Sequence, residues 1–516
     1  MMASVMKLFR RALVIAALIG LAAPAAAQGP AQIIPPSGPH AVGHTAFRWT
    51  DGARPELHTE DPDDARAVLV DVWYPADPAP GAAPVPLFGP ALAGLYSQML
   101  GLEDNPVAAI RANAIPGAPI ATAGAPYPVV VFDPGFSESP RHYAILIEDL
   151  ASRGFVVFAL SHPYVTGVVE FPDGEIIEPL THTQLSRLWA PRDIYEGEFR
   201  GMWLPDMQFA LDQIAALNRP VIGGMFAGRL DLDRLGLIGH SQGARTAAQV
   251  CLLDSRCRGA INLDGAHSAE VELEFDKPYM RILADRGIDA FVANFEHSLE
   301  ALAADYYVLM IPHTQHMHFV DAAFWQPLVI DPPAQSLIVA QVALLDYRVY
   351  VSAFMERYVM GRDTPLLDGP SPDYPEVFFL NRTAPIEPPT MSAEPRVAAP
   401  GGDNRGELSV GTADVWLYEG RAGEVLDLWL MADRPAGQAD QSQRAAFDLM
   451  DTLLVIRAPD GSLLAANDDI GATTDSLLRG VTLPEDGTYR IEARTWGNQT
   501  GGWYTLVLET DRGTAD

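Results

Sequence analysis

The chain is poor in basic residues, has two cysteines, and contains no long apolar run after residue 27. Lysine and arginine account for 35 of the 516 residues and aspartate and glutamate for 66, so the formal net charge is −31. Such an acidic chain repels nucleic-acid phosphates and anionic lipid surfaces, and we expect neither as a partner. The missing apolar run predicts no transmembrane segment in this part of the chain.

The two cysteines are Cys251 and Cys257, six positions apart. In an oxidising compartment they can close a small loop, and we favour a disulfide between them. The alternative is two separate thiols, because spacing alone does not establish the geometry that a disulfide requires.

The first 27 residues have the three parts of a secretory signal. A basic start that includes Lys7 precedes the apolar run Ala12–Ala23, and alanines follow directly before Gln28. The apolar run is shorter than the roughly 20 residues that span a bilayer, which favours a signal over a membrane anchor. We expect cleavage before Gln28 and an exported protein, either periplasmic or secreted.

The length and composition predict more than one domain. Apolar residues make up 48% of the chain, which is ample for buried cores. Between Pro385 and Gly402 the sequence becomes rich in proline, alanine and glycine, which is typical of a linker. We predict a signal over 1–27, a first domain over 28–384, a linker over 385–404 and a second domain over 405–516.

The first domain alternates short β-branched runs with longer helical patterns, which indicates a mostly parallel, doubly wound α/β sheet. Several runs are almost wholly apolar, as in strands that are covered on both faces. The predicted strands are Val68–Tyr74, Pro128–Asp133, Phe155–Leu160, Leu235–Gly239, Ala260–Leu263, Met280–Leu283 and Tyr306–Ile311. The predicted helices are Arg141–Arg153, Asp206–Leu217, Gln242–Leu253, Phe291–Leu302 and Leu337–Val359.

Two long stretches of the first domain do not follow this alternation. Leu87–Ile120 is apolar with several glycines and prolines, and His162–Leu204 is mixed and rich in aromatic residues. Stretches of this length in a compact domain are usually lids or binding segments. The alternative is a pair of decorations packed on the surface.

The second domain shows short alternating runs separated by turns, which predicts a small β-sandwich. The turns include Pro459-Asp460-Gly461. The runs are Val415–Tyr418, Val425–Leu430, Thr452–Arg457, Tyr489–Ala493 and Tyr504–Leu508.

The strongest chemical signal is the sequence Gly239-His240-Ser241-Gln242-Gly243. It follows a predicted strand and opens a predicted helix, which is the position of a nucleophile elbow. The sharp turn of an elbow strains the serine backbone and brings helix and strand close together, so small residues are needed on either side. We predict that Ser241 is a nucleophile.

A serine hydroxyl becomes a good nucleophile when an imidazole accepts its proton and a carboxylate orients that imidazole. Asp264 ends the next predicted strand, where the carboxyl edge of the sheet presents it beside Ser241. A turn-forming Asp-Gly is the structural alternative for Asp264, and Asp285 is the other carboxylate in a suitable position. We choose Asp264 as the acid.

Three histidines follow the last predicted strand and are candidates for the base. They are His313, His316 and His318. We choose His316, which begins the sequence His-Met-His-Phe-Val-Asp, and at least two of the three must have structural or solvent-facing roles. A histidine triplet also suggests a metal, but no carboxylate or cysteine with metal-ligand spacing accompanies it. We expect no metal and no cofactor.

Hydrolysis of an ester places negative charge on the former carbonyl oxygen, and two backbone N–H groups must converge there. One is expected from Gln242, directly after the nucleophile. The other is expected from Phe136, in the segment Pro134-Gly135-Phe136-Ser137 that follows a predicted strand. The alternative for this segment is an ordinary Pro-Gly turn.

These motifs together resemble the platelet-activating factor acetylhydrolase-like α/β-hydrolases, with dienelactone-hydrolase-like esterases as broader relatives. The resemblance runs from about Val68 to Asp321 and implies an α/β-hydrolase fold, a triad of Ser241, Asp264 and His316, and a calcium-independent esterase that removes short or oxidised acyl chains from phospholipids. The sequence departs from the family at Asp133-Pro134-Gly135, where relatives usually carry His-Gly. The matching residues are Val72–Pro75, Val129–Phe136, Tyr143, Leu150–Phe155, Gly239–Gly243, Leu263–Gly265, and His316, Phe319 and Asp321.

The C-terminal region resembles bacterial pre-peptidase C-terminal modules, which are β-sandwiches appended to secreted enzymes. The residues that carry this resemblance are Ala466–Asp469, Gly487–Tyr489 and Trp503–Leu506. Some such modules bind calcium or polymers, so the resemblance implies contact with a polymer or surface. For the Asn-Asp-Asp cluster at 467–469 we prefer a polar turn over a calcium site.

The sequence therefore predicts an exported serine esterase that acts on a small ester or lipid, with short-chain acyl esters of platelet-activating-factor-like phospholipids as the expected substrates. A general short-chain carboxylesterase or polyesterase is the first alternative. A non-catalytic exported binding protein on the same scaffold is the second, and it requires a broken triad.

Overall fold

The strands of the chain fall into two units, one on each side of Arg382. The first unit takes in the described residues up to Ala266, from Lys277 to Gly287 and from Asp305 to Arg382. The second takes in the described residues after Arg382, with the few described residues of 267–276 and 292–304. The computed structural model describes residues 31–185, 197, 199–266, 271, 275–287, 304–329, 335–382, 390–391, 394–402, 404–409, 411–433, 450, 452–467, 475–495 and 501–511.

A ten-stranded sheet forms the centre of the first unit, with the order β12-β11-β10-β9-β8-β4-β5-β2-β1-β3. The six neighbours from β11 to β5 run parallel to one another. The two remaining strands, β6 and β7, pair separately. The strands are β1 (Ala41–Pro55), β2 (Ala65–Ala76), β3 (Ile115–Pro116), β4 (Tyr127–Asp133), β5 (Val156–Ser161), β6 (Val169–Glu170), β7 (Ile176–Ile177), β8 (Leu230–His240), β9 (Cys257–Leu263), β10 (Tyr279–Leu283), β11 (Tyr306–Met310) and β12 (Phe378–Arg382).

The central strands are buried along almost their whole length, as the apolar runs predict. Every residue of β4, β5, β10 and β11 is buried. Strands covered on both faces have no polar side to present to water, so their sequences do not alternate. The α-helices described are α1 (Pro90–Met99), α2 (Ala144–Ser152), α3 (His182–Leu185), α4 (Leu204–Leu217), α5 (Gln242–Leu253), α6 (Ala322–Trp325) and α7 (Gln335–Tyr358).

The structure differs from the sequence prediction at several elements of the first unit. The sheet gains β1, a long strand antiparallel to β2. The predicted helix Arg141–Arg153 begins as a 3₁₀ turn over Pro140–Tyr143 and continues as α2, because Pro140 is well suited to a first helical turn. The predicted helix Phe291–Leu302 lies outside the described residues.

The stretch Leu87–Ile120 packs against the body of the first unit. It contains α1, and its Leu87, Phe88 and Leu92 belong to the same apolar core as the central strands. The buried carboxylate of Glu148 on α2 accepts hydrogen bonds from the N–H groups of Asn113 and Ala114, both at 3.0 Å. This segment is thus held by core packing and by a buried acceptor.

Cys251 near the end of α5 and Cys257 at the start of β9 form a disulfide, with Cα atoms 5.2 Å apart. The bond closes the turn between the helix that follows Ser241 and the strand that leads to Asp264. A cross-link of this loop size stabilises the fold by roughly 2 kcal/mol in the chain-entropy treatment.

The second unit consists of two sheets. Their inward-facing residues form one apolar core that includes Trp416, Leu428, Ile456 and Tyr504. One sheet has the order β13-β16-β21-β18-β19 with β14 also paired to β16, and the other has the order β15-β22-β17-β20. The strands are β13 (Thr390–Met391), β14 (Arg396–Val397), β15 (Asn404–Leu408), β16 (Thr412–Gly420), β17 (Val425–Ala432), β18 (Thr452–Arg457), β19 (Leu463–Asn467), β20 (Ser476–Thr482), β21 (Gly487–Thr495) and β22 (Gly502–Thr510).

Part of the predicted linker 385–404 belongs to this second unit. β13 and β14 lie within it, and both pair in parallel with β16. Proline-rich sequence favours extended backbone and is tolerated in short edge strands, so the composition that indicates a linker also permits this pairing. Of the Asn-Asp-Asp cluster, Asn467 ends β19 and the two aspartates lie outside the described residues.

Candidate functional site

Ser241 lies in the sharp turn between β8 and α5. Its backbone has φ 55° and ψ −118°, a conformation that non-glycine residues rarely adopt. A Cβ atom on Gly239 would lie 2.1 Å from the carbonyl oxygen of Gly243, and one on Gly243 would lie 2.3 Å from the carbonyl oxygen of Asp133. The two glycines of the motif are therefore required by close backbone contact, as expected for a nucleophile elbow.

The structure brings Ser241, His316 and Asp264 into one hydrogen-bonded row. Nε2 of His316 lies 3.0 Å from Oγ of Ser241, and Nδ1 lies 2.7 Å from Oδ2 of Asp264. The first distance suits proton transfer from hydroxyl to imidazole, and the second suits a carboxylate that fixes the ring tautomer. The arrangement can therefore generate a nucleophilic alkoxide at Ser241.

The carboxylate of Asp264 is buried and richly hydrogen-bonded. Oδ1 accepts from the N–H of Ala284 at 2.9 Å and from Nη1 of Arg286 at 2.6 Å, and Oδ2 accepts from Nη2 of Arg286 at 2.9 Å. Burial opposes ionisation, but the hydrogen bonds from His316 and Arg286 outweigh it and hold the pKa of Asp264 well below its usual range. The row thus ends in a permanent negative charge.

His240, between the first glycine and the serine, connects two segments of the site. The N–H of Gly135 donates to Oη of Tyr143 at 3.2 Å, and this oxygen lies 2.8 Å from Nδ1 of His240. Nε2 of His240 lies 3.1 Å from the carbonyl oxygen of His316, which can only accept. His240 therefore carries its proton on Nε2, and Tyr143 donates to Nδ1.

This hydrogen-bond arrangement requires a neutral His240. Burial is the main cause that lowers the pKa of His240 to about 4, and a positive charge on the neighbouring His316, when that ring is protonated, acts in the same direction. The two imidazole rings are 4.6 Å apart between centroids. His240 thus links the segment at Gly135 to the segment that carries His316, a role that its variable place in the motif does not predict.

The two residues predicted as oxyanion donors lie on the segments that flank Ser241. Gln242 is the first residue of α5, where backbone N–H groups point out of the helix end. Phe136 follows Gly135 after the end of β4, in a segment whose Ser137 N–H donates to the carbonyl oxygen of Val165 at 2.8 Å. Their role in binding an oxyanion stays a prediction.

The alternative acid and histidines have other contacts. Asp285 accepts hydrogen bonds from the N–H groups of His313 at 2.6 Å and Gly287 at 2.9 Å, so it holds the loop that leads to His316. Nδ1 of His318 accepts from the N–H of Gln315 at 3.2 Å. Neither Asp285 nor His318 has a described contact with Ser241.

A buried row of charged groups lies directly before the predicted oxyanion segment. Oδ1 of Asp133, the last residue of β4, lies 2.7 Å from Nε2 of His162, and Nδ1 of His162 lies 2.8 Å from Oδ2 of Asp206. Asp206 in turn pairs with Arg66 at 2.6 Å. Burial disfavours a charged imidazole, but Asp133 and Asp206 overcome it and raise the pKa of His162 to about 9.

The sequence prediction did not include this row. Its members come from β2, β4, α4 and the residue after β5, and no pattern along the chain connects them. The departure Asp133-Pro134-Gly135 from the family pattern is the one signal that points to it, because Asp133 is a buried charge that requires a partner.

Within the described ranges, histidine, cysteine and acidic side chains form no group of three that could hold a metal ion. No helix in the described part of the chain has both the length and the apolar character needed to cross a membrane.

Comparisons with known proteins agree on the type of enzyme. A family model described as platelet-activating factor acetylhydrolase, isoform II, matches residues 25–167. A relative from Arthroderma benhamiae, named as a probable 1-alkyl-2-acetylglycerophosphocholine esterase, is 25% identical over 386 residues, which are 67% of this chain and 93% of the relative. The structure of a ferulic acid esterase from Streptomyces cinnamoneus is 30% identical with a TM-score of 0.57, and the match covers 68% of this chain and 100% of the other.

The fold and these similarities define the chain as an α/β-hydrolase that cleaves carboxylic esters. More particularly, residues 25–167 match the family model of platelet-activating factor acetylhydrolase, isoform II, which confirms the predicted resemblance to that family. The predicted fold class and enzyme class are confirmed, and the alternative of a non-catalytic binding protein is set aside. The resemblance of the second unit to pre-peptidase C-terminal modules stays a prediction.

Proposed function

We propose that this chain is an exported serine esterase in which Ser241, His316 and Asp264 are the catalytic triad. The observation that carries this proposal is the continuous hydrogen-bonded row from the Ser241 hydroxyl to the Asp264 carboxylate, with distances of 3.0 Å and 2.7 Å across His316. The strained backbone of Ser241 supports it, because strain of this kind places a nucleophile at the tip of an elbow.

The reaction proceeds by acyl transfer in two steps. His316 accepts the proton of Ser241 as the serine oxygen attacks the ester carbonyl, and then donates that proton to the departing alcohol. Water, activated by His316, hydrolyses the acyl-enzyme. Asp264 orients the ring and stabilises the imidazolium that forms, without accepting its proton.

The negative charge of each tetrahedral intermediate is stabilised by the backbone N–H groups of Phe136 and Gln242. The hydrogen bonds that connect Gly135, Tyr143 and His240 support this assignment, because they fix the segment beside Ser241 before the substrate arrives. Preorganised donors cost no reorganisation when the charge develops, which is the source of their catalytic effect.

The preferred substrates are short-chain acyl esters of phospholipids that resemble platelet-activating factor. The family model and the name of the Arthroderma relative support this substrate class. We expect kcat/KM for a 1-alkyl-2-acetyl-glycerophosphocholine to exceed that for the matched 2-hexadecanoyl lipid at least about tenfold, since a pocket that fits acetyl excludes a long chain. Release of the fatty acid from both lipids, measured at equal concentration below their micellar limits, tests this preference.

A general carboxylesterase or polyesterase is the second candidate, and the similarity to a ferulic acid esterase favours it. The same assay with methyl ferulate, p-nitrophenyl acetate and a solid polyester film separates the candidates. If methyl ferulate or the film were hydrolysed faster than the acetyl lipid, the phospholipid proposal would be wrong and the second candidate would take its place. Binding of the intact protein to the film without its hydrolysis would support a polymer contact of the second unit.

We also propose that the protein is exported after cleavage before Gln28. The tripartite sequence of residues 1–27 supports this proposal, and so does a disulfide between Cys251 and Cys257, since such bonds persist in oxidising compartments. We expect protein recovered from periplasm or medium to begin at Gln28 and to contain no free thiol, as measured by mass spectrometry with and without reduction. Full-length, reduced protein confined to the cytoplasm would refute the proposal.

A further inference from the structure

Arg286 makes a bidentate ion pair with the carboxylate of Asp264. Nη1 lies 2.6 Å from Oδ1 and Nη2 lies 2.9 Å from Oδ2. The carboxylate is buried, with 1% of the side chain exposed, whereas 57% of the Arg286 side chain is exposed. The mutation of Arg286 can therefore change the charge beside Asp264 without creating a cavity in the core.

Arg286 and His316 share one oxygen of the carboxylate. Oδ2 accepts from Nη2 of Arg286 and from Nδ1 of His316, and Oδ1 accepts from Nη1 and from the N–H of Ala284. With both oxygens occupied in this way, the carboxylate cannot rotate about its Cβ–Cγ bond without losing several charge-assisted hydrogen bonds. The guanidinium thus fixes the direction of the bond to His316.

The turn that carries Arg286 is also tied to the loop that carries His316. The N–H of Asp285 donates to the carbonyl oxygen of Thr314 at 3.1 Å, and the carboxylate of Asp285 accepts from the N–H of His313 at 2.6 Å. The guanidinium and the imidazole therefore approach Asp264 from two connected segments, which keeps their relative position constant.

We propose that Arg286 is a positioning residue for the esterase reaction: it holds both oxygens of Asp264 so that Oδ2 is directed at Nδ1 of His316. This inference rests on the proposed function of the triad. This orientation serves the transition state, in which the imidazolium must point at Asp264.

The test separates the charge of Arg286 from its bidentate contact with the carboxylate. In Arg286→Gln we expect kcat to fall about tenfold with KM within twofold of wild type, since the lost hydrogen bonds serve the transition state. In Arg286→Lys we also expect kcat to fall with KM within twofold of wild type, because an ammonium keeps the charge but cannot hold both oxygens in the planar geometry of a guanidinium.

Arg256 offers a matched control, because it makes the same kind of bidentate ion pair with Asp254. Asp254 follows the C-terminal end of α5, the end away from Ser241. We expect Arg256→Gln to retain the wild-type kcat. A wild-type kcat in Arg286→Gln, measured in an assay in which Ser241→Ala is inactive, would overturn the role of Arg286 alone. An active Ser241→Ala would overturn the proposed function, and this inference with it.

Discussion

Ser241→Ala is expected to lower kcat for p-nitrophenyl acetate by about 10⁴- to 10⁶-fold while the protein stays folded. The reason is that His316 and Asp264 act only through the serine oxygen, which no other described hydroxyl replaces at that position. Initial rates and labelling by a fluorophosphonate probe measure the loss, and thermal unfolding followed by circular dichroism checks the fold. Substantial turnover by the variant would remove Ser241 from the proposed role.

His318 provides the control for the base, because it lies two residues from His316 on the same 3₁₀ turn. His316→Ala is expected to match the loss in Ser241→Ala, since the two residues act as a unit. His318→Ala loses the hydrogen bond to the N–H of Gln315 and leaves the hydrogen bonds of His316 in place, so its kcat is expected within about tenfold of wild type. The reverse ranking of the two variants would reassign the base to His318.

The sequence predicts the parallel core of the fold because its strands are covered on both faces. The strand Thr452–Arg457 in the second unit and the helix Gln242–Leu253 in the first have the predicted bounds. β4 begins one residue earlier than predicted, and β5 begins and ends one residue later than predicted. The strand β1 is not predicted, because exposed Arg48 and Thr50 flank buried Trp49 in a mixed pattern with no continuous apolar run. β1 lies next to the two-residue edge strand β3 and has one partly solvated face, which weakens the signal on which such predictions depend.

The site follows the same distinction between local and non-local signals. The position of Ser241 is predictable because the whole elbow is contiguous, and Asp264 and His316 follow strands whose carboxyl ends meet at one edge. Arg286 is not predictable, because one exposed arginine in a loop resembles any other until the fold places it against Asp264. The buried contacts of His162 likewise depend on elements far apart in sequence.

The buried row of Arg66, Asp206, His162 and Asp133 connects the stability of the first unit to the predicted oxyanion segment. Asp133 lies directly before Pro134, and the N–H of Ser137 donates to the carbonyl oxygen of Val165, in the segment that His162 begins. His162 therefore fixes this segment from two sides. Trp203 packs on the imidazole, with ring centroids 4.2 Å apart, which excludes water from the pair.

His162→Gln is expected to destabilise the first unit by about 3–5 kcal/mol, because Asp133 then becomes a buried carboxylate without a cationic partner. The wild-type protein should also lose stability as pH rises. The pKa of His162 is raised to about 9 in the folded protein, above its unfolded value, so its stabilising contribution is complete below about pH 6.5 and is lost as pH rises through about 9. Unfolding in urea between pH 6 and 10, followed by circular dichroism, measures both effects.

Two further variants decide whether the charge pair is the cause. Asp133→Asn combined with His162→Gln removes both charges, and we expect it to be more stable than His162→Gln alone. His44 makes a comparable buried contact with Asp71 at 2.7 Å, but burial and Arg141 lower its pKa. The free energy of unfolding of His44→Gln is therefore expected to decline above neutral pH as that of wild type does. If the free energy of unfolding of His162→Gln fell with pH as much as that of wild type, another group would be titrating. The ion pair between His162 and Asp133 would then not be what stabilises the oxyanion segment.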